Sequence, residues 1–312
     1  MADNGQVPGA DHTGVMRIIV APGQGSQKPG FLAPWLERPG VADTLSRWSD
    51  LTGIDLIAHG TTSDADTIRD TKVAQPRIVA AGILTGRALQ SKLAGEPLRY
   101  AGHSVGEFAA SALAGVFSDD DAMRLVAARG RAMAEAAAQV ATGMSAVLGL
   151  EYDVLAPQLE SRGLVPANVN GGGQIVAAGE LSALAELKEN PPEGARVIPL
   201  DVAGAFHTHF MASAVDALAA EAAGVEVHDP SAPLYTNRDG SQVSSGSQMV
   251  ELLIGQVASP VRWDLCMESF ARDGVTSLVE LAPAGALVGL AKRALKEVAT
   301  AKLDLPEQLD EL

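Results

Sequence analysis

Five residues, Gly102-His103-Ser104-Val105-Gly106, carry the densest chemistry in the chain. A serine flanked at two residues' distance by glycines is the G-x-S-x-G pattern of a nucleophile elbow. Its neighbours suit that reading. A short apolar run ends at Tyr100-Ala101, and a small-residue helical run begins at Glu107 and continues through Ala114. The glycines keep Cβ atoms out of a tight strand-to-helix turn, so the hydroxyl projects at the end of a sheet. The helix opening there offers free N–H groups and its dipole to an oxyanion beside the serine. On five residues alone, a glycine-flanked turn without chemistry competes evenly with this reading.

A serine nucleophile needs a general base. Of the six histidines, His12 lies in the polar start, and His59 and His228 stand in polar surroundings suited to the surface. His103 adjoins the serine, and neighbours on an elbow point in different directions. His207, on a loop between a strand and a helix, is the best placed base, with His209 second. No carboxylate stands out as a third member. Asp201 precedes His207 by only six residues on the same strand end, whereas α/β-hydrolases draw their acid from a separate loop. The expectation is a Ser-His dyad whose imidazole is oriented by a backbone carbonyl.

A third chemical signal is a cation on an apolar face. Ser118 and the acids after it start a helix that runs to about Ala138. Ala122, Leu125, Val126, Arg129 and Met133 share one stripe of it by i, i+3, i+4 spacing. Stranding a buried guanidinium costs several kcal/mol. Arg129 therefore needs a partner: a structural carboxylate, or one that arrives with a substrate and is held bidentately. The pattern leaves both open.

The elements that must position these groups alternate strand and helix. Met16–Ala21 reads as a buried parallel strand running into Pro22-Gly23-Gln24-Gly25-Ser26-Gln27, a loop that lacks the G-K-[ST] ending of a phosphate site. Helical patterns cover Val41–Leu51 and Ala74–Leu93, and a strand at Pro97–Ala101 feeds the elbow. From Met144 to Leu200 the order is βαββαβ, as in ferredoxin-like folds. Further on, Met211–Ala223, Met249–Val257, Val261–Arg272 and Gly285–Val298 read as helices, and Leu234–Asn237 and Ser277–Leu281 as strands. The expected class is α/β: an α/β-hydrolase-like core with a parallel sheet (residues 16–139 and 205–312) and an inserted ferredoxin-like small domain (140–204). Residues 1–15 are expected to be a flexible extension, and the acidic tail after Leu305 to fray.

Composition excludes several classes. With 23 Lys and Arg against 38 Asp and Glu, the net charge of −15 argues against nucleic-acid binding. An acidic partner would need a local basic patch. No apolar run approaches the ~18 residues of a membrane span, and the start lacks a signal-peptide pattern. The single cysteine, Cys266, lies in a helical run and reads as a packed core thiol. A cytoplasmic monomer is the expectation.

Taken together the motifs become specific. The Pro22–Gln27 loop, the Gly102–Glu107 elbow, Arg129-Gly130-Arg131-Ala132-Met133, Ala205-Phe206-His207-Thr208 and Gln256–Trp263, in that order, resemble the malonyl-CoA:acyl-carrier-protein transacylase family. Glu280-Leu281-Ala282-Pro283-Ala284-Gly285 resembles a further family segment, with Ala282 in place of the usual glycine. The resemblance covers about residues 16–300.

It implies a malonyl-carrying nucleophile at Ser104 and a general base and acid at His207. It implies an oxyanion hole from the backbone N–H groups of Gln24 and Val105, and a carboxylate clamp at Arg129. Gln256 would steady the His207 and Arg129 region, its carbonyl serving the imidazole, and Phe206 would crowd an α-methyl branch. The implied partners are malonyl-CoA and acyl carrier protein, with no cofactor and no metal, because phosphopantetheine travels on the carrier. Lys292, Arg293 and Lys296, or Arg196, are candidate contacts for that acidic carrier. The competing function is a serine esterase or thioesterase on the same elbow.

Overall fold

The computed structural model describes residues 14–312. The expected extension at 1–15 falls almost wholly outside them. Two sheets organise the chain. The first contains β1 (Arg17–Ala21), β2 (Leu98–Gly102), β7 (Leu234–Tyr235), β8 (Gln242–Val243), β10 (Ser277–Leu281) and β11 (Ala299–Leu303), in the order β11-β10-β1-β2-β7-β8. Pairing is parallel throughout except at the β7–β8 edge. The second contains β3 (Thr142–Leu148), β4 (Val165–Gly171), β5 (Gln174–Glu180), β6 (Arg196–Leu200) and β9 (Val261–Arg262), in the order β6-β3-β5-β4-β9. Each neighbouring pair among the first four is antiparallel, and they follow the ferredoxin-like order. The fifth comes from beyond residue 204 and pairs parallel to β4, Asn168 opposite Val261.

β1 lies at the centre of its sheet because Ile18, Ile19 and Val20 are apolar on both faces, as a strand covered on both sides requires. Helix Thr71–Lys92 packs against helix Asp119–Ala137 and against helix Gly106–Leu113. Small residues permit the approach: a Cβ on Gly86 would meet the Leu113 side chain at 2.4 Å. β1 and β2 are register partners, Ala21 opposite Gly102. The loops leaving their C-terminal ends are therefore neighbours, and His103 N–H donates to Ala21 O at 2.9 Å. That edge is where parallel sheets build ligand sites.

Four sequence expectations differ from the structure. Val261–Arg262 is strand rather than helix, and the helix begins at Trp263, because sheet pairing with β4 outweighs local propensity. The closing helix spans only Ala286–Ala294, and Ala299–Leu303 forms the edge strand β11. Alanine-rich runs satisfy both patterns, and the pairing with β10 decides. The tail after Leu305 is folded, with a 3-10 turn over Pro306–Glu311 that buries Leu309. The strand at Leu234 stops at Tyr235, freeing Asn237 for the site.

Candidate active site

The elbow forms as its spacing requires. Ser104 has φ 52° and His207 φ 61°, and they are the two non-glycine residues in the left-handed region among the described ones. Such backbone costs on the order of 1–3 kcal/mol and persists only where surrounding contacts hold it. For Ser104 those contacts include two close backbone approaches. A Cβ on Gly106 would lie 2.2 Å from Ala21 O, and one on Gly102 2.1 Å from the Gly106 carbonyl carbon. The His207 loop is pinned by Ala205 N–H to Thr142 Oγ1 (2.9 Å) and Thr208 Oγ1 to Ala205 O (2.6 Å).

Ser104 Oγ and His207 Nε2 are 2.7 Å apart, and His207 Nδ1 lies 2.8 Å from Gln256 O. A carbonyl accepts only, so Nδ1 carries the proton and Nε2 faces the serine as acceptor. Burial, aided by the Arg129 charge, pushes the imidazole down to about 3. The ring is thus neutral and competent as a base over the ordinary pH range. Asp201 does not partner His207: it is largely exposed and pairs with Arg69 at 2.6 Å.

Arg129 is buried, at 1% exposure, and among the described residues its hydrogen-bond partners include no carboxylate. Nη1 donates to Gln75 Oε1 (2.7 Å), and Nη2 donates to Gln256 Oε1 (3.0 Å) and, more weakly, to Ser104 Oγ (3.4 Å). Among the described residues its Nε has no partner. Burial lowers its pKa to about 10, against the pull of Glu107. A guanidinium held by neutral oxygens beside a nucleophile retains charge for an incoming anion.

Backbone donors complete the arrangement. Ser104 N–H is taken by Asn237 Oδ1 at 2.7 Å. Among the described residues no acceptor pairs with the N–H of Gln24 or Val105. These two lie in the loops that leave the C-terminal ends of the adjacent strands β1 and β2. The Gln24 side chain is tethered to Thr71 Oγ1 and accepts from Gln75. A cavity of about 420 Å³ opens over Ser104 and His207, walled on one side by the Gly23–Ser26 loop and on the other by Asn168, Asn170 and Val176 of the second sheet. Phe206 lines it.

A family model described as an acyl transferase domain matches residues 18–306. The chain belongs to the acyl transferase family. It is 51% identical over 299 residues to the malonyl CoA-acyl carrier protein transacylase of Mycobacterium tuberculosis (strain CDC 1551 / Oshkosh), covering 95% of this chain and 99% of that one. It is 34% identical over 298 residues to the protein of the same name from Escherichia coli (strain K12), covering 93% and 96%. The crystal structure of MCAT from Mycobacterium tuberculosis superposes with a TM-score of 0.92 at 50% identity, over 95% of this chain and 99% of that one. PlMCAT, a malonyl-transacylase solved with the type II PKS acyl-carrier protein AntF, gives 0.89 at 32% identity, over 95% and 98%.

The structure of this acyl transferase brings Ser104, His207, Arg129 and Gln256 into one hydrogen-bonded group, with Gln24, Val105 and Phe206 around it. His103 lines the same cavity without joining that group. His103 Nε2 is 2.8 Å from Asn170 Oδ1, tying the elbow to the second sheet, and its ring meets Trp263 edge-on. His209 is exposed. Lys292, Arg293, Lys296 and Arg196 are exposed, and Arg293 donates to Gln174 Oε1 (3.0 Å) at the cavity wall. Glu280 accepts from the N–H groups of Gly285, Leu287 and Val288, capping the helix that carries the first two lysine and arginine positions.

Sequence reasoning missed Gln75, Glu107 and Asn237 as site residues. Asn237 follows a core strand at its C-terminal end, the position where such folds place functional groups. Gln75 is a polar residue in a buried helical run, as Arg77 is two residues on, the same kind of signal that singled out Arg129. Glu107 was legible only as the last letter of the elbow motif. Among the described residues no helix is long and apolar enough to cross a membrane.

Proposed function

We propose that this acyl transferase carries malonyl from malonyl-CoA to the phosphopantetheine thiol of an acyl carrier protein, in fatty-acid or polyketide synthesis. The observation that carries the reading is the buried Arg129, held by two neutral amide oxygens and 3.4 Å from the Ser104 hydroxyl. Ser104 Oγ attacks the thioester carbonyl while His207 Nε2 takes its proton. The oxyanion accepts from the N–H groups of Gln24 and Val105. Collapse breaks the C–S bond, the proton returns to the departing CoA sulfur, and malonyl remains on Ser104 as an ester. The carrier's thiol then attacks that ester, and His207 moves the proton back to Ser104.

Arg129 holds the malonyl carboxylate throughout, and a neutral acyl chain leaves it unmatched. Phe206 lines the cavity beside His207 and would crowd a branch at the malonyl α-carbon. The reading requires no metal or cofactor. We read residues 140–204 as a small domain set into the core, and the protein as a cytoplasmic monomer that docks its carrier near Lys292, Arg293 and Lys296.

Intact-mass spectrometry after brief exposure to malonyl-CoA tests this. The expected result is the gain of one malonyl group on the Ser104 peptide, stable in buffer and discharged by holo carrier protein. Discharge to water at the same rate would assign an esterase or thioesterase instead.

A further inference from the structure

Among the described residues Glu107 is the one carboxylate hydrogen-bonded into the site, and the transfer chemistry does not use it. It is buried, at 1% exposure, one residue into the helix that follows the elbow. Oε1 accepts from Asn237 N–H at 2.6 Å, and Oε2 accepts from Gln256 Nε2. Both partners are donors, and both belong to residues that touch Ser104 or Arg129. Asn237 uses its side-chain oxygen to hold Ser104 N–H and its amide nitrogen to hold Gly102 O. Gln256 uses its amide oxygen to hold Arg129, and its backbone carbonyl to hold His207.

An amide side chain is nearly symmetric in shape and opposite in chemistry at its two ends. Turned over, Gln256 would present N–H to a guanidinium that itself only donates. A carboxylate behind the nitrogen forbids that orientation, because two acceptors would then face each other. The same carboxylate placed directly against Arg129 would neutralise the clamp and compete with any incoming acid. One intervening amide transmits the orientation and withholds the ion pair.

We propose that Glu107 is a positioning residue for acyl selectivity: it fixes the direction of the Gln256 amide, and through it the Arg129 guanidinium, while leaving the guanidinium open to the substrate carboxylate. This rests on the reading of Arg129 as the malonyl clamp. Burial pushes the Glu107 carboxyl up to about 8, and the Asn237 N–H and the Arg129 charge oppose that rise. The two donors around it fit the ionised form.

The test measures serine labelling by malonyl-CoA and by acetyl-CoA in the full chain, as kcat/KM, for wild type, Arg129→Ala, Glu107→Gln and the exchanged pair Glu107→Gln/Gln256→Glu. Glu107→Gln places a donor against Gln256 Nε2 or Asn237 N–H. It is expected to lower malonyl labelling by about 10- to 100-fold, chiefly in KM, and acetyl labelling several-fold less. The exchanged pair again sets a donor against an acceptor, but brings a carboxylate onto Arg129. Its malonyl-to-acetyl ratio is expected to fall below that of Glu107→Gln. A wild-type ratio in Glu107→Gln overturns the proposal. If that variant does not fold, a wild-type ratio in the exchanged pair overturns it. A merely structural role lowers both acyl groups alike and leaves the ratio unmoved. Failure of the clamp itself is separate, since Arg129→Ala would then also keep the wild-type ratio.

Discussion

Two arginines in this chain share almost every local property and serve different ends. Arg77 and Arg129 are 0% and 1% exposed, and burial lowers each to about 10. Each lies over an aromatic ring, Phe31 at 5.0 Å and Phe108 at 5.8 Å, and each has an unpartnered Nε among the described residues. Neither meets a carboxylate there. The difference is in what they grip. Arg77 donates to backbone oxygens, His59 O at 2.6 Å and Ile68 O at 3.4 Å. The first is an orphan carbonyl in the last turn of helix Leu56–Thr61, where the helix dipole favours a cation. Arg77 is thereby committed to holding the 53–70 segment on helix Thr71–Lys92. Arg129 grips side-chain amides on two other elements and points at a hydroxyl. Burial and a lowered pKa mark both residues; the source of the partner oxygens separates scaffold from site.

The contrast can be broken at several scales. The largest effect belongs to the nucleophile that only Arg129 faces. Ser104→Ala is expected to lower malonyl labelling by ~10^4-fold or more with the fold intact, read by intact mass and circular dichroism. Residual labelling at Ser104-independent positions would break the assignment. Next, Arg129→Ala should cost malonyl transfer about 10^2- to 10^3-fold and acetyl transfer far less. Arg77→Ala should lower the two alike, and equal losses in both variants would erase the distinction.

Stability should run the other way. Arg77→Ala removes the donor from one buried and one part-buried carbonyl and is expected to cost about 1–3 kcal/mol in urea unfolding, more than Arg129→Ala. Acid sensitivity is a finer probe. His207 is held at about 3 when folded, against an ordinary value of 6.5, by burial and by Arg129. Unfolding then takes up a proton between those values. Stability is therefore lost as pH falls from 6.5 toward 3, by at most ~1.4 kcal/mol per pH unit from this group. Arg129→Ala should narrow that window and Arg77→Ala should leave it, as measured by urea midpoints across pH. The smallest effect lies on the rim: Lys292→Glu with Arg293→Glu should raise KM for the carrier a few-fold at low salt and lose that effect at high salt. Labelling by malonyl-CoA serves as the control.

Much of this was legible in the chain because its signals are local. The elbow declares itself through two glycines whose Cβ atoms the turn has no room for. Arg129 declares itself through helical spacing, and the βαββαβ order through turn residues and alternation. Arg77 shows where that reasoning stops. It too is a cation in a buried helical run, and nothing along the sequence distinguishes its backbone partners from amide side chains. Gln75, Asn237 and Glu107 were missed for the same reason, since their importance lies in which groups 19 to 149 residues away they meet. β9 and β11 were missed because two- and five-residue strands are specified by the partner they add to rather than by their own pattern.

β9 has a consequence for engineering by exchange. The βαββαβ segment carries its own hydrophobic cluster and invites transplantation between relatives as a cassette. Its sheet nevertheless ends on Val261 and Arg262, five residues after the glutamine that holds both His207 and Arg129. A graft cut at 140 and 204 alone would marry a foreign β4 to the host's β9, and any mismatch of register would be felt at the base and the clamp. A chimera that carries 256–263 along with the cassette moves the seam away from the chemistry.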